Sequence, residues 1–261
     1  MQAGFARYDG EKRGLFLSNL FIQIAHKIYG IYALLVFCVL SLIALLFVTI
    51  MPTQALAYRA ARRLAQFIFV CWGNPPTLHG MEHLRGENNY IIAANHASYI
   101  DGVLLFAYLP AQHSFTIKKE IASFAPLRFF LTRIGMRFVE RFDPHQNVKQ
   151  MRGLIDSQRR DVRLVFFAEG TFRKEPGLLP FRRGAFRVAT IAQAPVVPLI
   201  IRGSRSVLSS GNWLPRPGKL EITLCTAIMP QGSDRDAAAR LETKVRAAIL
   251  QNLDEPDCEV T

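Results

Sequence analysis

A histidine and an aspartate lie five positions apart in the stretch AANHASYIDG, residues 93–102. A neutral imidazole can take a proton from a hydroxyl group, and a carboxylate bonded to its other nitrogen fixes the tautomer and stabilises the imidazolium that forms. His96 and Asp101 could therefore act as a general-base pair, with the hydroxyl supplied by a substrate. The alternative is structural, because Ser98-x-x-Asp101 has the pattern of a capping box with Asp in place of Glu. The two roles are compatible.

A second stretch places an acidic residue at the end of an apolar run. VFFAEGTFRKEPGLLPFRRGAF, residues 165–186, passes from apolar residues into Glu169, Gly170 and Thr171. The basic residues that follow are Arg173, Lys174, Arg182, Arg183 and Arg187. Guanidinium groups at the end of a strand suit the binding of a phosphate group. A solvated basic loop is the alternative, so this stretch alone leaves both interpretations open.

Short apolar runs alternate with amphipathic segments after Pro75. The predicted strands are 90–94, 114–118, 137–141, 162–168, 196–201 and 220–226. The predicted helices lie around 99–109, 119–134, 146–158, 181–193 and 234–252. Strands separated by helices predict an α/β fold, with a central, mostly parallel or mixed sheet flanked by helices.

This order of elements brings His96 and Asp101 together. The run NYIIAAN predicts a strand that ends at Asn95, so His96 follows its carboxyl end, where the sites of open α/β sheets gather. On one straight helix, five residues turn by about 500°, and the two side chains would face different ways. With a helix beginning near Ser98, His96 lies in the loop and Asp101 in the first turn, so the two can meet.

The N-terminal region is strongly apolar. Residues 28–51 contain no charged side chain, and these 24 residues exceed the roughly 20 that cross a bilayer core as a helix. Tyr29 and Tyr32 lie near one end, as interfacial aromatic residues do. A buried core helix and a signal peptide ending near Ala57 are the alternatives, but the run is longer than a secretory apolar region. We expect an uncleaved anchor.

The segment that follows the apolar run, Tyr58–Gly73, carries three arginines and then an apolar cluster. It fits either an amphipathic helix at the membrane surface or a helix packed on the soluble domain. The sequence leaves these two open. The predicted organisation is an N-terminal membrane-anchoring helical region over 1–73 and an α/β domain over 74–261.

Charge and cysteine content narrow the classes of function. The formal net charge of +12 suggests nucleic acid, an anionic membrane or anionic substrates as partners. The basic residues have no recognition helix or aromatic RNA-binding pattern around them, so we expect no nucleic acid partner. The four cysteines show neither CxxC pairing nor metal-ligand spacing, which predicts reduced thiols and no metal site.

Four sequence blocks, in order, resemble the glycerolipid acyltransferase superfamily, the lysophosphatidate acyltransferase-like proteins. NHASYID resembles the NH-x4-D box, and IGMRFVERFD (134–143) resembles the second block, with Gly135 and Arg141 matching. FAEGTFRKEPGLLPFRRGAF resembles the third block, usually FPEGTRS…LLPFKKGAF, and APVVPLIIRG (194–203) resembles the Val-Pro-rich fourth. Together the blocks cover roughly residues 76–203.

The resemblance implies roles for individual residues. His96 would be the general base and Asp101 the residue that orients it. Arg141 and the block of Glu169, Gly170 and Thr171 would help to bind the glycerol phosphate of the acceptor. This chain has Ala168 where the family commonly has Pro, and Phe172 where it often has Arg; the neighbouring Arg173 could substitute. These departures bear on the identity of the acceptor and leave the acyl-transfer chemistry intact.

The sequence therefore predicts a membrane-anchored acyltransferase. The acyl donor would be a thioester, acyl-CoA or acyl-carrier protein, and no further cofactor is expected. The acceptor would be a membrane lyso-lipid, 1-acyl-glycerol-3-phosphate in first place, giving phosphatidic acid. Another lyso-lipid such as lyso-ornithine lipid, or a non-catalytic lipid-binding protein of the same fold, is the alternative. We expect a bacterial cytoplasmic membrane, with the catalytic domain facing the cytosol where the donor is made.

Overall fold

The structure is a computed structural model. It describes residues 2–84, 89–110, 113–118, 120, 123–139, 152–158, 162–234 and 236–259, and of residues 2–18, 118 and 139 it describes only the backbone. In chain order, two helices come first, and strands and helices alternate after them. The predicted α/β class with a mixed sheet and flanking helices is confirmed.

The described strands form one seven-stranded sheet in the order β1-β7-β6-β2-β5-β3-β4. The strands are β1 Thr77–His79, β2 Ile91–Ala94, β3 His113–Lys118, β4 Arg137–Val139, β5 Arg163–Phe167, β6 Val196–Arg202 and β7 Glu221–Leu224. Neighbouring strands are parallel except for β6 and β7, which pair antiparallel. The sheet is therefore mixed, with a parallel centre.

The helices are α1 Gln2–Ile50, α2 Gln54–Cys71, α3 Asp101–Tyr108, α4 Ala125–Arg133, α5 over 152–158, α6 Gly184–Ala192, α7 Ser204–Val207 and α8 Ala237–Leu250. A short 3-10 helix covers Met81–Leu84. The predicted strands and helices are present wherever they fall on described residues, although most helices are shorter than predicted. Residues 140–151 lie outside the described residues, so the end of the strand predicted at 137–141 is untested.

The core has two layers because alternate residues of a strand point to opposite faces of the sheet. Ile92 and Ala94 of β2 face the side covered by α2 and α3, whereas Ile91 and Ala93 face the side covered by α6 and α8. All four are fully buried. A central parallel strand is buried on both faces, which is why β2 is apolar throughout instead of alternating.

The first two helices form an antiparallel pair joined by a short turn. α2 buries Ala57, Tyr58, Ala61, Ala65, Ile68 and Phe69 and packs against both α1 and α3. The segment Tyr58–Gly73 thus packs on the soluble domain through α3, and its placement at a membrane surface stays a prediction. Phe67 and Val70 remain exposed on the other side of α2.

Helix α1 is long and apolar enough over Asn19–Ile50 to cross a bilayer, by length and composition. Its small and aliphatic residues Ala33, Leu40, Ala44 and Val48 are buried against the rest of the protein. Only 22% of the most apolar 18-residue part of this helix is buried, so the segment is not a core helix. Its apolar side chains mostly face outward.

Candidate active site

The sheet brings the two site-like stretches side by side. β2 and β5 are parallel neighbours, and Ala94 at the end of β2 pairs with Phe167 at the end of β5. His96 and Glu169, each two residues beyond these ends, therefore emerge at the same edge of the sheet. This edge is the one where the ligand sites of open α/β sheets lie.

Asn95 fixes the chain just before His96. Its side-chain amide accepts a hydrogen bond from Ile201 N at 2.7 Å and donates one to Ile201 O at 3.0 Å. The side chain of Asn95 thus continues the pairing between β2 and β6 after β2 has ended. Asn95 is buried, and its role was not predicted from the sequence, although it begins the NH-x4-D box.

His96 and Asp101 are in direct contact. His96 Nδ1 lies 2.8 Å from Asp101 Oδ2, and the Asp101 side chain is fully buried. Since Nδ1 faces the carboxylate, Nε2 is the ring nitrogen left to meet a substrate hydroxyl. The His96 side chain is 18% exposed, so the imidazole is mostly shielded from solvent but still partly accessible.

Asp101 also caps the turn that leads into α3. Its Oδ2 accepts hydrogen bonds from Ala97 N at 2.7 Å and Ser98 N at 2.8 Å. The bond to Ser98 N is one half of a capping box; in place of the other half, Ser98 Oγ donates to Leu208 O. The capping interpretation and the base-orienting interpretation therefore apply to the same carboxylate. Its Oδ1 has no hydrogen-bond partner in the described part of the chain.

Glu169 links the base to the loop after β5. Its carboxylate accepts hydrogen bonds from His96 N at 2.6 Å and from Leu179 N at 2.7 Å. The residue is only 3% exposed. Burial raises the pKa of this carboxyl from 4.5 to about 7, although the two backbone N–H groups oppose the shift. Both oxygens of Glu169 are thus engaged by the main chain.

Two phenylalanines hold the imidazole ring. Phe167 stacks on His96 with ring centroids 4.1 Å apart and planes 20° apart. Phe172 lies at 4.4 Å with the planes tilted by 59°. Phe172 occupies the position where the family that the sequence resembles often has Arg, and it brings a ring, not a cation, against His96. The contact with Phe172 was not foreseen from the sequence.

The other predicted substrate-binding residues are Gly170, Thr171, Arg173 and Arg141. Gly170 takes a positive φ of 71°, which glycine adopts without strain, in the turn closed by its N–H to Phe167 O. Thr171 is exposed. Arg173 Nη2 lies 2.7 Å from Cys258 Sγ. Arg141 lies outside the described residues. These residues stay predictions as far as the acceptor is concerned.

The loop after β5 is fastened by the segment that follows α8. Gly177 N donates to Glu255 Oε2 at 2.7 Å, and Leu178 N donates to Pro256 O at 2.8 Å. Arg205 pairs with the Glu255 carboxylate through Nε and Nη2, at 2.8 and 2.7 Å. These contacts join positions up to 78 residues apart and fix the chain that presents Leu179 N to Glu169.

The described residues include no group of three or more His, Cys, Asp or Glu side chains that could hold a metal ion. The four cysteines are free thiols. The described site presents a shielded imidazole with a buried carboxylate behind it.

Comparison with known proteins places the chain in a family. A family model described as Acyltransferase matches residues 75–202. A putative 1-acyl-sn-glycerol-3-phosphate acyltransferase of Caenorhabditis elegans is 26% identical over an alignment of 211 positions that covers 78% of this chain and 73% of that protein. The 1-acyl-sn-glycerol-3-phosphate acyltransferase of Saccharomyces cerevisiae is 25% identical over 82% of this chain and 72% of its own length.

A solved structure has the same fold. The 1-acyl-sn-glycerophosphate acyltransferase PlsC from Thermotoga maritima superposes with a TM-score of 0.71 at 20% sequence identity, covering 87% of this chain and 95% of that chain. The matched range 75–202 contains the His96–Asp101 pair and the turn that carries Glu169. The chain belongs to the glycerolipid acyltransferase superfamily and is an acyltransferase.

Proposed function

We propose that this acyltransferase moves a fatty acyl group from acyl-CoA or acyl-carrier protein to the free hydroxyl of 1-acyl-glycerol-3-phosphate, giving phosphatidic acid. The observation that carries the proposal is the contact of 2.8 Å between His96 Nδ1 and the buried Asp101 carboxylate at the carboxyl end of β2. The names of the relatives, 1-acyl-sn-glycerol-3-phosphate acyltransferases, support this acceptor.

The reaction needs one base and one activated donor. His96 Nε2 takes the proton of the acceptor hydroxyl while the hydroxyl oxygen attacks the thioester carbonyl carbon. When the tetrahedral adduct collapses, the carbon–sulfur bond breaks and the departing sulfur takes the proton from the imidazolium. The products are the new ester and the free thiol, and His96 is neutral again. A thioester is already activated, so positioning together with general-base assistance suffices.

Asp101 supports this step electrostatically. Its carboxylate holds Nδ1 and stabilises the imidazolium while the proton resides on His96. The backbone N–H groups of Ala97 and Ser98 hold the same oxygen, so the carboxylate cannot turn away from the ring. Asp101 thus pre-organises the base before the substrate arrives.

Glu169 is proposed to position the base and not to touch the acceptor. Its two oxygens bind His96 N and Leu179 N, and the residue is nearly inaccessible. The family resemblance would place it at the glycerol phosphate, together with Gly170 and Thr171. The described geometry favours an indirect role, in which Glu169 sets the distance between the histidine loop and the loop that meets the acceptor.

The phosphate of the acceptor is proposed to contact Arg141 and Arg173. Arg173 lies in an exposed loop, one residue beyond the ring that contacts His96. A lyso-lipid without a phosphomonoester is the alternative acceptor. Phe172 favours that alternative, because it places an apolar ring against His96 where the family often has a cation.

Membrane attachment is proposed to use the outward-facing apolar side chains of α1. These include Ile28, Leu35, Val39 and Leu42, each more than half exposed. In water such a surface is unfavourable, whereas in a bilayer it is solvated by lipid. The catalytic domain would face the cytosol of a bacterial cell, where acyl donors are made. Full-length protein that stays in solution without detergent or lipid would contradict this attachment.

The test of function is an acyl-transfer assay with purified protein in detergent or vesicles. Labelled acyl-CoA and acyl-carrier protein are each offered with a panel of lyso-lipids that share one acyl chain and differ in head group. Turnover with lysophosphatidate well above that with lyso-ornithine lipid and zwitterionic lyso-lipids supports the proposal. A preference for an acceptor without a phosphomonoester removes lysophosphatidate and leaves the His96 chemistry in place. Absence of turnover with every pair contradicts the proposed reaction.

A further inference from the structure

A row of aromatic rings leads away from His96 to the protein surface. Phe172, which touches the imidazole, meets Tyr99 edge-on with ring centroids 4.8 Å apart. Tyr99 stacks on Trp213 at 5.8 Å, with the ring planes 12° apart. Exposure rises along the row, to 47% for Tyr99 and 75% for Trp213. We call Phe172, Tyr99 and Trp213 the aromatic row; it connects the base continuously to the surface.

The loop that carries Trp213 also packs against helix α1. A methyl group added at Gly30 of α1 would lie only 2.7 Å from Leu214 Cβ and 3.0 Å from Pro215 O, so the loop and the helix are in close contact. The side chain of Ile31, next to this contact on α1, is 53% exposed. The outer end of the aromatic row therefore lies beside the outward-facing apolar surface of α1.

The same loop reaches back to the catalytic turn. Ser98 Oγ donates a hydrogen bond to Leu208 O at 2.5 Å, and Ser98 is one of the residues whose N–H holds the Asp101 carboxylate. One loop, residues 208–215, thus contacts both the turn that orients the base and the helix that carries the apolar surface. It carries Trp213 and is hydrogen-bonded to Ser98, the residue before Tyr99.

We propose that the aromatic row binds the acyl chain of the membrane-borne lyso-lipid acceptor and guides the acceptor hydroxyl to His96. This inference rests on the proposed function. The chain would leave the apolar surroundings of α1 next to Gly30, lie over Trp213 and Tyr99, and end where Phe172 contacts the imidazole. The row would then select for acceptors with a long acyl chain.

The composition and course of the row favour an acyl chain over a water-soluble partner. An acyl chain moving from the bilayer to a base in water would lose its apolar contacts, which is unfavourable in proportion to the exposed area. A continuous apolar path avoids this cost. Aromatic faces also attract cations, so a cationic head group is the competing occupant that the test must separate.

The first test compares chain-length preference in Trp213→Ala and in the wild type. Trp213 is so exposed that its replacement removes little packing. We expect the KM for oleoyl-lysophosphatidate to rise about tenfold relative to that for hexanoyl-lysophosphatidate, so the preference for the long chain falls by about the same factor. The matched control is Ile191→Ala, which removes an exposed apolar side chain from α6 on the other face of the sheet.

Two kinetic outcomes overturn the proposal. One is an unchanged chain-length preference in Trp213→Ala. The other is an equal loss with both chain lengths that depends on the charge of the head group, which would assign the row to a cationic head group instead.

The second test does not depend on turnover. The chain has two tryptophans, Trp72 and Trp213, and Trp72 is buried. A lyso-lipid with bromine atoms on its acyl chain should quench the emission of the wild type and quench Trp213→Phe far less. Equal quenching of the two proteins overturns the proposal. If lysophosphatidate is not the substrate, turnover with it fails while the quenching persists, so the failure of the proposed function is distinguishable from the failure of the aromatic row.

Discussion

Replacing Glu169 by glutamine tests whether a buried ionisable carboxyl supports the candidate base. The carboxyl is 3% exposed, and burial raises its pKa from 4.5 to about 7. A folded-state pKa above the unfolded value means that the folded protein binds this proton more tightly. The contribution of this proton to the free energy of unfolding is complete below pH 4.5 and is lost as the pH rises through 7. Glutamine cannot ionise, so Glu169→Gln should lack this part of the pH dependence.

The size of the effect follows from the two pKa values. One pKa unit corresponds to about 1.4 kcal/mol, so the full difference is about 3 kcal/mol, and most of it is lost between pH 5 and pH 8. The free energy of unfolding of the wild type should fall by that amount relative to Glu169→Gln over this range. Glutamine leaves one of the two backbone N–H groups without its acceptor, which lowers the stability of Glu169→Gln by an amount that does not depend on pH and also lowers activity. The test is therefore the change of the difference in stability with pH, not its value at a single pH.

The assay is urea unfolding in detergent, followed by far-ultraviolet circular dichroism at pH 5, 6, 7 and 8. Glu175→Gln, in the exposed part of the same loop, is the matched control and should run parallel to the wild type. If the difference between the wild type and Glu169→Gln stays constant over the whole range, the carboxyl has an ordinary pKa, and the argument that burial dominates its environment is refuted.

Two further predictions concern the base and the acceptor. Asp101→Asn should lower kcat by about 10²-fold or more with the protein still folded, because the amide carries no charge to stabilise the imidazolium. Steady-state kinetics at saturating acceptor measure this loss. A kcat within twofold of the wild type would contradict the orienting role. Arg141→Ala and Arg173→Ala should each raise the KM for lysophosphatidate about tenfold while the KM for the acyl donor barely changes, since a charge-assisted bond to phosphate contributes about 1.5–3 kcal/mol. Saturation curves for each substrate decide the matter, and an unchanged acceptor KM in both variants would remove the phosphate site.

The sequence predicts the parts of this protein whose signals are local. β2 is apolar throughout and bounded by a polar turn, so its end, and with it the place of His96, could be predicted. The five-residue spacing lets His96 and Asp101 meet because a loop and the first turn of a helix separate them, which is again a local property. In contrast, β1 has only three residues, all exposed, and α7 has only four, so neither carries a hydrophobic period long enough to detect.

The rest depends on contacts between distant positions. The contact of Gly177 with Glu255 joins residues 78 apart, and that of Asn95 with Ile201 joins residues 106 apart; no local pattern encodes either pairing. The position of Phe172 against His96 arises only when the turn after β5 folds over β2. The amphipathic pattern of Tyr58–Gly73 fits a membrane surface as well as a protein surface, and it does not encode the packing of α2 on α3.

The central claim is that His96 is the base for acyl transfer, and His96→Ala tests it most directly. Purified His96→Ala in vesicles is assayed with labelled acyl-CoA and lysophosphatidate, after circular dichroism and flotation show that it is folded and membrane-bound. His79→Ala, which replaces a half-exposed histidine in β1, serves as the control and should keep wild-type turnover. The expected loss in His96→Ala is about 10²–10⁴-fold or greater. A folded His96→Ala protein with near-wild-type turnover would contradict the proposed mechanism.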